Sequence, residues 1–323
     1  MNTRFVFISF GLLGAVASQA SFTLFAAEST AGSNGANTSL YGGVQQYDFA
    51  TTGGSATMGA GLAASTVHDP VGLRFTGKLH VGNRFGNTLG QGSVQSFDWT
   101  GGALSGGTTI ATASNPAYQG FHGFSFAPNG DLFVTTLSNG TRWYRDSGSG
   151  FVDIGGTGSG ATRDALVSPD GKYLYETTTG NTLVVHQIGA SSLTNVMNMG
   201  ISGASSMHQM TWHAGAIYLT AFNSSSIHKV DLDSAYLPSS NSMVMNSTGA
   251  IGIAFSPDGQ EMFVSSHTGN LISRYLSNGS GGWNANGTIG TGHNMGYLAT
   301  TPEPGTWAAL GLGAMAMLRR RRK

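Results

Sequence analysis

The sequence predicts an all-β chain of the β-propeller class, with six four-stranded blades closed into a ring by strands from both ends. Three observations point there: a hairpin unit that recurs along most of the chain, a composition poor in charge and rich in glycine, and two isolated strand-like fragments flanking the repeats. Five or seven blades stay open at this level, because residues 83–119 are long and irregular for one unit.

The unit is clearest at Phe124–Val134 and Ile253–Val264, with a third copy at Ala165–Tyr175 and degenerate copies at Leu73–Val81 and Met210–Leu219. In each, alternating apolar residues suit a half-buried strand. Where Pro is present it presets φ for a turn, an Asn-Gly or Asp-Gly pair supplies the positive φ, and a second aromatic or β-branched strand follows. A third strand recurs after another turn, at Ser93–Asp98, Thr141–Tyr144, Thr182–His186, Ser226–Asp231 and Asn270–Tyr275. The turn glycines Gly77, Gly130, Gly171, Gly215 and Gly259 stand 53, 41, 44 and 44 residues apart, which is the period of a propeller blade. Val44–Phe49 looks like the third strand of a unit whose first two strands are missing, and Asn294–Ala299 looks like an innermost strand. Together they predict a shared blade that closes the ring and removes exposed sheet edges.

Composition agrees. Of 323 residues 50 are Gly and only 9% are charged, which disfavours long helices. Cysteine is absent, which excludes disulfides, CxxC redox sites and thiolate zinc sites. Stability must then come from burial, for which a chain of this length suffices.

The two ends read as sorting signals. Arg4, an apolar run from Phe5 to Ala17 and the small residues up to Ala20 follow the plan of a cleaved leader. Residues 1–27 are assigned to it, with cleavage near Ala20 or near Ala27, and 28–39 to a flexible segment. Residues 40–300 are assigned to the ring and 301–323 to a tail. The tail holds Pro302-Glu303-Pro304, which resists helix and central strand, then an uncharged stretch from Thr306 to Leu318 read as a short membrane helix, then Arg319, Arg320, Arg321, Arg322 and Lys323. The terminal cations suit the cytoplasmic side of a membrane. Without the six cations of the two signals the chain has nine against 15 acids, a net charge of −6, which argues against nucleic acid as a partner.

This tripartite tail resembles the PEP-CTERM sorting signal of Gram-negative bacteria that make exopolysaccharide. The resemblance implies signal peptidase and exosortase as processing partners, an inner-membrane intermediate, and a final place at the cell surface or outside the cell. Exopolysaccharide of the biofilm matrix is then an expected partner. The Ser-Pro-Asp-Gly hairpins resemble YVTN and lactonase-like propeller repeats and, more loosely, NHL repeats. That resemblance implies fold; propellers host enzymes, binders and scaffolds alike.

No G-x-S-x-G, HExxH, Walker or Rossmann pattern occurs. The suggestive feature is histidine placement. His68, His122 and His208 lie seven to nine residues before their turn glycines, Arg163 stands at the matching place in its unit, and His293 precedes the closing segment. Such residues gather at a channel mouth. With Asp69 and Asp164 nearby, they could meet an anionic ligand, and His122, His208 and His293 a divalent metal. Capping and interblade bonding are the alternative roles. His80, His186, His213, His228 and His267 share no register and read as surface or interblade residues. Trp143, Trp212, Tyr144, Tyr173, Tyr175, Tyr218, Phe133 and Phe263 read as packing between blades, with carbohydrate stacking on exposed rings the alternative. The expected function is an exported binding or scaffold propeller of the exopolysaccharide matrix. The alternative is a lactonase- or lyase-type enzyme using the histidines.

Overall fold

The computed structural model describes residues 21–28, 42–63, 65–84, 92–113 and 120–301. The leader up to residue 20 and the sorting tail from Pro302 onwards lie outside the described residues, as does most of segment 28–39.

Among the described residues, 24 strands form six antiparallel sheets of four. The chain opens with β1 (Phe22–Glu28), β2 (Val44–Phe49) and β3 (Ala56–Met58). The first blade is β4 (Pro70–Phe75), β5 (Lys78–Asn83), β6 (Ser93–Trp99) and β7 (Leu104–Thr112). The second is β8 (Phe121–Phe126), β9 (Leu132–Thr136), β10 (Gly140–Asp146) and β11 (Phe151–Gly156). The third is β12 (Thr162–Val167), β13 (Tyr173–Thr178), β14 (Thr182–Ile188) and β15 (Leu193–Gly200). The fourth is β16 (Met207–His213), β17 (Ala216–Ala221), β18 (Ser226–Leu232) and β19 (Pro238–Asn246). The fifth is β20 (Ala250–Phe255), β21 (Glu261–Ser266), β22 (Leu271–Ser277) and β23 (Trp283–Gly290). Finally β24 (Met295–Thr300) pairs with β1, giving a closing blade of order β24-β1-β2-β3. The chain is thus a six-bladed propeller.

Local chemistry explains the hairpins. All five turn glycines have positive φ, from 70° at Gly259 to 94° at Gly77, a region open to Gly at little cost. In the third blade Ser168 Oγ donates to Asp170 Oδ1 at 2.7 Å and accepts from the backbone N–H groups of Lys172 and Tyr173. Ser256 and Asp258 repeat this arrangement in the fifth blade. The Ser and the Asp of the repeat therefore satisfy turn amides that no ladder reaches.

Apolar clusters lie between neighbouring sheets. One joins Leu166, Tyr175 and Val185 of the third blade to Met210, Ile217 and Leu219 of the fourth. Trp143, Tyr144, Tyr175, Tyr218, Phe133 and Phe263 are buried as interblade packing, while Trp212 and Tyr173 are only half-buried. Polar ties cross the same seams. Glu176 of β13 accepts from the Thr141 backbone N–H at 3.0 Å and from Thr157 Oγ1 at 2.8 Å, both of the second blade's span, and bonds His186 at 2.8 Å. Glu261 of β21 bonds Arg274 within its blade and accepts from the Gly53 backbone N–H of the closing blade.

The closing blade differs from the sequence reading in one strand. Val44–Phe49 is its third strand and the segment near 294–299 its innermost, as the repeats predict. The missing second strand is Phe22–Glu28, whose first six residues lie inside the span assigned to the leader. Its residues are as apolar as a leader's, yet Leu24, Phe25, Ala26 and Ala27 are fully buried. They pair with β2 on one edge and β24 on the other. The ring therefore begins near residue 21 and not near residue 40.

Among the described residues no helix is long and apolar enough to cross a membrane; the apolar stretch from Thr306 to Leu318 is not among them.

Candidate functional site in the central channel

The innermost strands set the channel, and each carries a register shift at the same place. The shifts fall between Pro70 and Gly72, Phe121 and Phe124, Thr162 and Asp164, Met207 and Met210, and Ala250 and Gly252, with a matching one opposite Tyr297. Aligned on this bulge, the strands define two rings of equivalent residues. The first is Val71, His122, Arg163, His208, Ile251 and Gly296. The second is Gly72, Gly123, Asp164, Gln209, Gly252 and Tyr297.

The first ring forms a narrow mouth. His122 and His208 are only 4% and 6% exposed. Arg163 Nη1 donates to His122 Nε2 at 3.2 Å; because a guanidinium only donates, that imidazole nitrogen accepts and Nδ1 carries the hydrogen. The Nδ1 atoms of His122 and His208 and Nε of Arg163 are buried without a hydrogen-bond partner. Burial, then the nearby charge of Arg163, holds both imidazoles well below their ordinary pKa. They are neutral at pH 7, and the layer presents donors around a guanidinium.

The second ring forms a septum. Asp164 Oδ2 bonds Arg74 Nη2 at 2.7 Å and the Met210 backbone N–H at 2.7 Å, tying the first, third and fourth blades across the axis. Gln209 accepts from the backbone N–H groups of Ile253 and Leu298 and donates to the Leu298 carbonyl. Tyr297 donates to the Arg163 carbonyl at 2.8 Å. Three large side chains fill this layer because the other three positions are glycines. A Cβ at Gly123 would overlap Asp164 Oδ1, and one at Gly72 the His122 carbonyl.

Beyond the septum, on the side of the Ser-Pro-Asp-Gly hairpins, the channel opens into a cavity of 370 Å³. Arg74, Phe75, Trp212, His213, Phe255 and Thr300 are among its lining residues. The His213 and Phe255 rings stack at 3.9 Å and 9°. Arg74 Nε is buried and unpartnered.

The residues singled out from the sequence therefore divide. His122, Arg163 and His208 share one layer. Asp164 lies one layer deeper, committed to Arg74. His68 and His293 stand two residues ahead of β4 and β24, outside that layer; His293 is exposed. Asp69 bonds Arg84 at 3.0 Å. The three histidines weighed for a divalent metal do not form one cluster, and among the described residues no group of three or more His, Cys, Asp or Glu could hold a metal ion. Sequence reasoning missed Arg74, Gln209 and Tyr297. For Gln209 and Tyr297 the signal that could have found them is the third position of each inner strand, which is glycine in three blades and a larger polar residue in the other three; Arg74, two residues further along β4, carries no such mark.

A closed six-bladed ring with a polar, septate channel is the class of protein that fold and site define. Comparison adds the sorting signal: residues 300–323 match the PEP-CTERM protein-sorting motif. That motif indicates exosortase-dependent processing and export toward the cell surface. No curated protein matches the chain. Solved structures similar in fold include a periplasmic gluconolactonase from Pseudomonas aeruginosa, at 16% identity and TM-score 0.61 over 88% of this chain and all of that one. A protein from Lactobacillus plantarum aligns at 12% identity and TM-score 0.63, covering 87% and 99% of the two chains. A chain of a nidogen–laminin complex aligns at 11% identity and TM-score 0.61, covering 87% and 98%. A gluconolactonase and a chain of a nidogen–laminin complex share this architecture, so the likeness speaks for fold alone.

Proposed function

We propose that this chain is an exported propeller that binds an acidic polysaccharide of the extracellular matrix in the wide mouth of its channel. The observation that carries the reading is the make-up of that cavity. Flat rings of Phe75, Trp212 and His213 line it together with Arg74, whose Nε–H is buried without a partner. Sugar faces stack on such rings, and a guanidinium donor suits a uronate carboxylate. The sorting motif supports the setting, since it directs the chain toward the surface where such a polymer lies.

The test is titration of the soluble ring with a uronate-containing and a neutral exopolysaccharide. Tight binding of the acidic polymer alone, weakened about tenfold, or ~1.4 kcal/mol, by Phe75→Ala or His213→Ala at unchanged melting temperature, is the expected result. Equal binding of both polymers, or none, would sink the reading. Hydrolysis of gluconolactone lost in His122→Ala would instead favour a lactonase working at the narrow mouth.

A further inference from the structure

The strand Phe22–Glu28 constrains how the precursor is processed. It is paired along both edges, Leu24 with Tyr47 and Thr300, Ala26 with Gln45 and Leu298. Six of its seven residues are buried. Glu28, the seventh, accepts a hydrogen bond from the Gly43 backbone N–H at 3.0 Å. A chain that began at Glu28 would leave β2 and β24 facing an empty slot one strand wide, with two rows of unpaired backbone groups. Ser21, by contrast, is exposed.

We propose that the leader is removed at the Ala20–Ser21 bond and that the site near Ala27 is not used. This inference rests on the export part of the proposed function and is independent of the ligand. The recognition chemistry agrees: a leader peptidase takes small side chains one and three residues before the cut. Ala20 and Ser18 meet that need, whereas a cut after Ala27 would place Phe25 in the second pocket. The step is amide hydrolysis. Water adds across the Ala20 carbonyl, the C–N bond to Ser21 breaks, and the products are the Ala20 carboxylate and a free Ser21 amine.

The geometry also places this cut beside the second one. The Thr23 backbone N–H donates to Thr301 Oγ1 at 2.9 Å, and the Thr301 N–H donates to the Thr23 carbonyl at 2.9 Å. Pro302, the first residue of the sorting motif, follows directly. The two termini that leader peptidase and exosortase would trim thus lie at the same end of the closing blade, joined by one hydrogen-bonded clasp.

N-terminal sequencing and intact mass of the full chain, exported by a host with an exosortase, test this. A first residue of Ser21 is expected. A start at Glu28, or at any residue from Thr23 onwards, overturns the proposal while leaving export intact. An uncut chain retained in the cytoplasm overturns both the proposal and the export reading. Ala20→Phe should accumulate as an uncut membrane form; its release with the wild-type mass would also overturn the assignment.

Discussion

Gly123 and Asp164 show how little slack the channel has. Gly123→Ala would drive a methyl group into the Asp164 carboxylate, which is already held by Arg74 and Met210. Overpacking of this kind costs about 1–3 kcal/mol, and the loss should appear as a lowered melting temperature. Arg74→Met is expected to be worse, about 3–5 kcal/mol, because it strands a buried carboxylate; denaturant unfolding measures it. At this scale the sequence was only partly legible. His122, Arg163 and His208 were found because repeated units place them alike, while His68 and His293, grouped with them, stand outside their layer. Counting back from the turn glycine mixes turns of different length, Ala-Pro-Asn-Gly in the second blade against Thr-Gly in the first. Counting from the bulge removes the ambiguity, yet a bulge leaves no residue signature of its own.

Among the elements, the hairpins were the most legible and the second strand of the closing blade the least. A Ser-Pro-Asp-Gly turn announces itself through residue types that only a particular backbone needs, and Gly259 illustrates this with φ of 70° and a His213 ring 2.8 Å from where a Cβ would stand. Gly259→Val should therefore cost on the order of 1–3 kcal/mol, read from thermal melts, and should also displace the His213 ring from the wide mouth. Phe22–Glu28 carries no such mark. Its run of apolar residues continues the leader in composition, and only pairing with β2 and β24 distinguishes a core strand from a membrane-seeking segment. The outer strands are similarly quiet, because Ser, Thr, Asn and Gly on an exposed face fit a loop as readily as an edge strand.

For the whole molecule, the buried imidazoles set a pH dependence. Burial lowers the pKa of His80 to about 4 and also lowers those of His122, His208, His213, His228 and His267. Below about pH 6.5 the unfolded chain binds protons that the folded ring refuses, so stability falls as pH falls towards 4. Asp164 acts in the opposite sense, since burial raises its carboxyl to about 6 from 3.8; one carboxyl does not offset six imidazoles. Thermal melts between pH 4 and 7.5 should show the melting temperature dropping in acid, and a flat profile would contradict the neutral, buried state of these rings. The clasp between Thr23 and Thr301 has a further consequence. Leu298, Ala299 and Thr300 line the wide mouth, so Thr301, the last described residue, stands on the hairpin side of the ring. Were a membrane anchor attached there, as the proposed export route would require, the cavity would face the lipid and a long polymer would be shut out by steric exclusion. On the proposed function, severing such an anchor would act as an unmasking event, with release and competence to bind arriving in the same step.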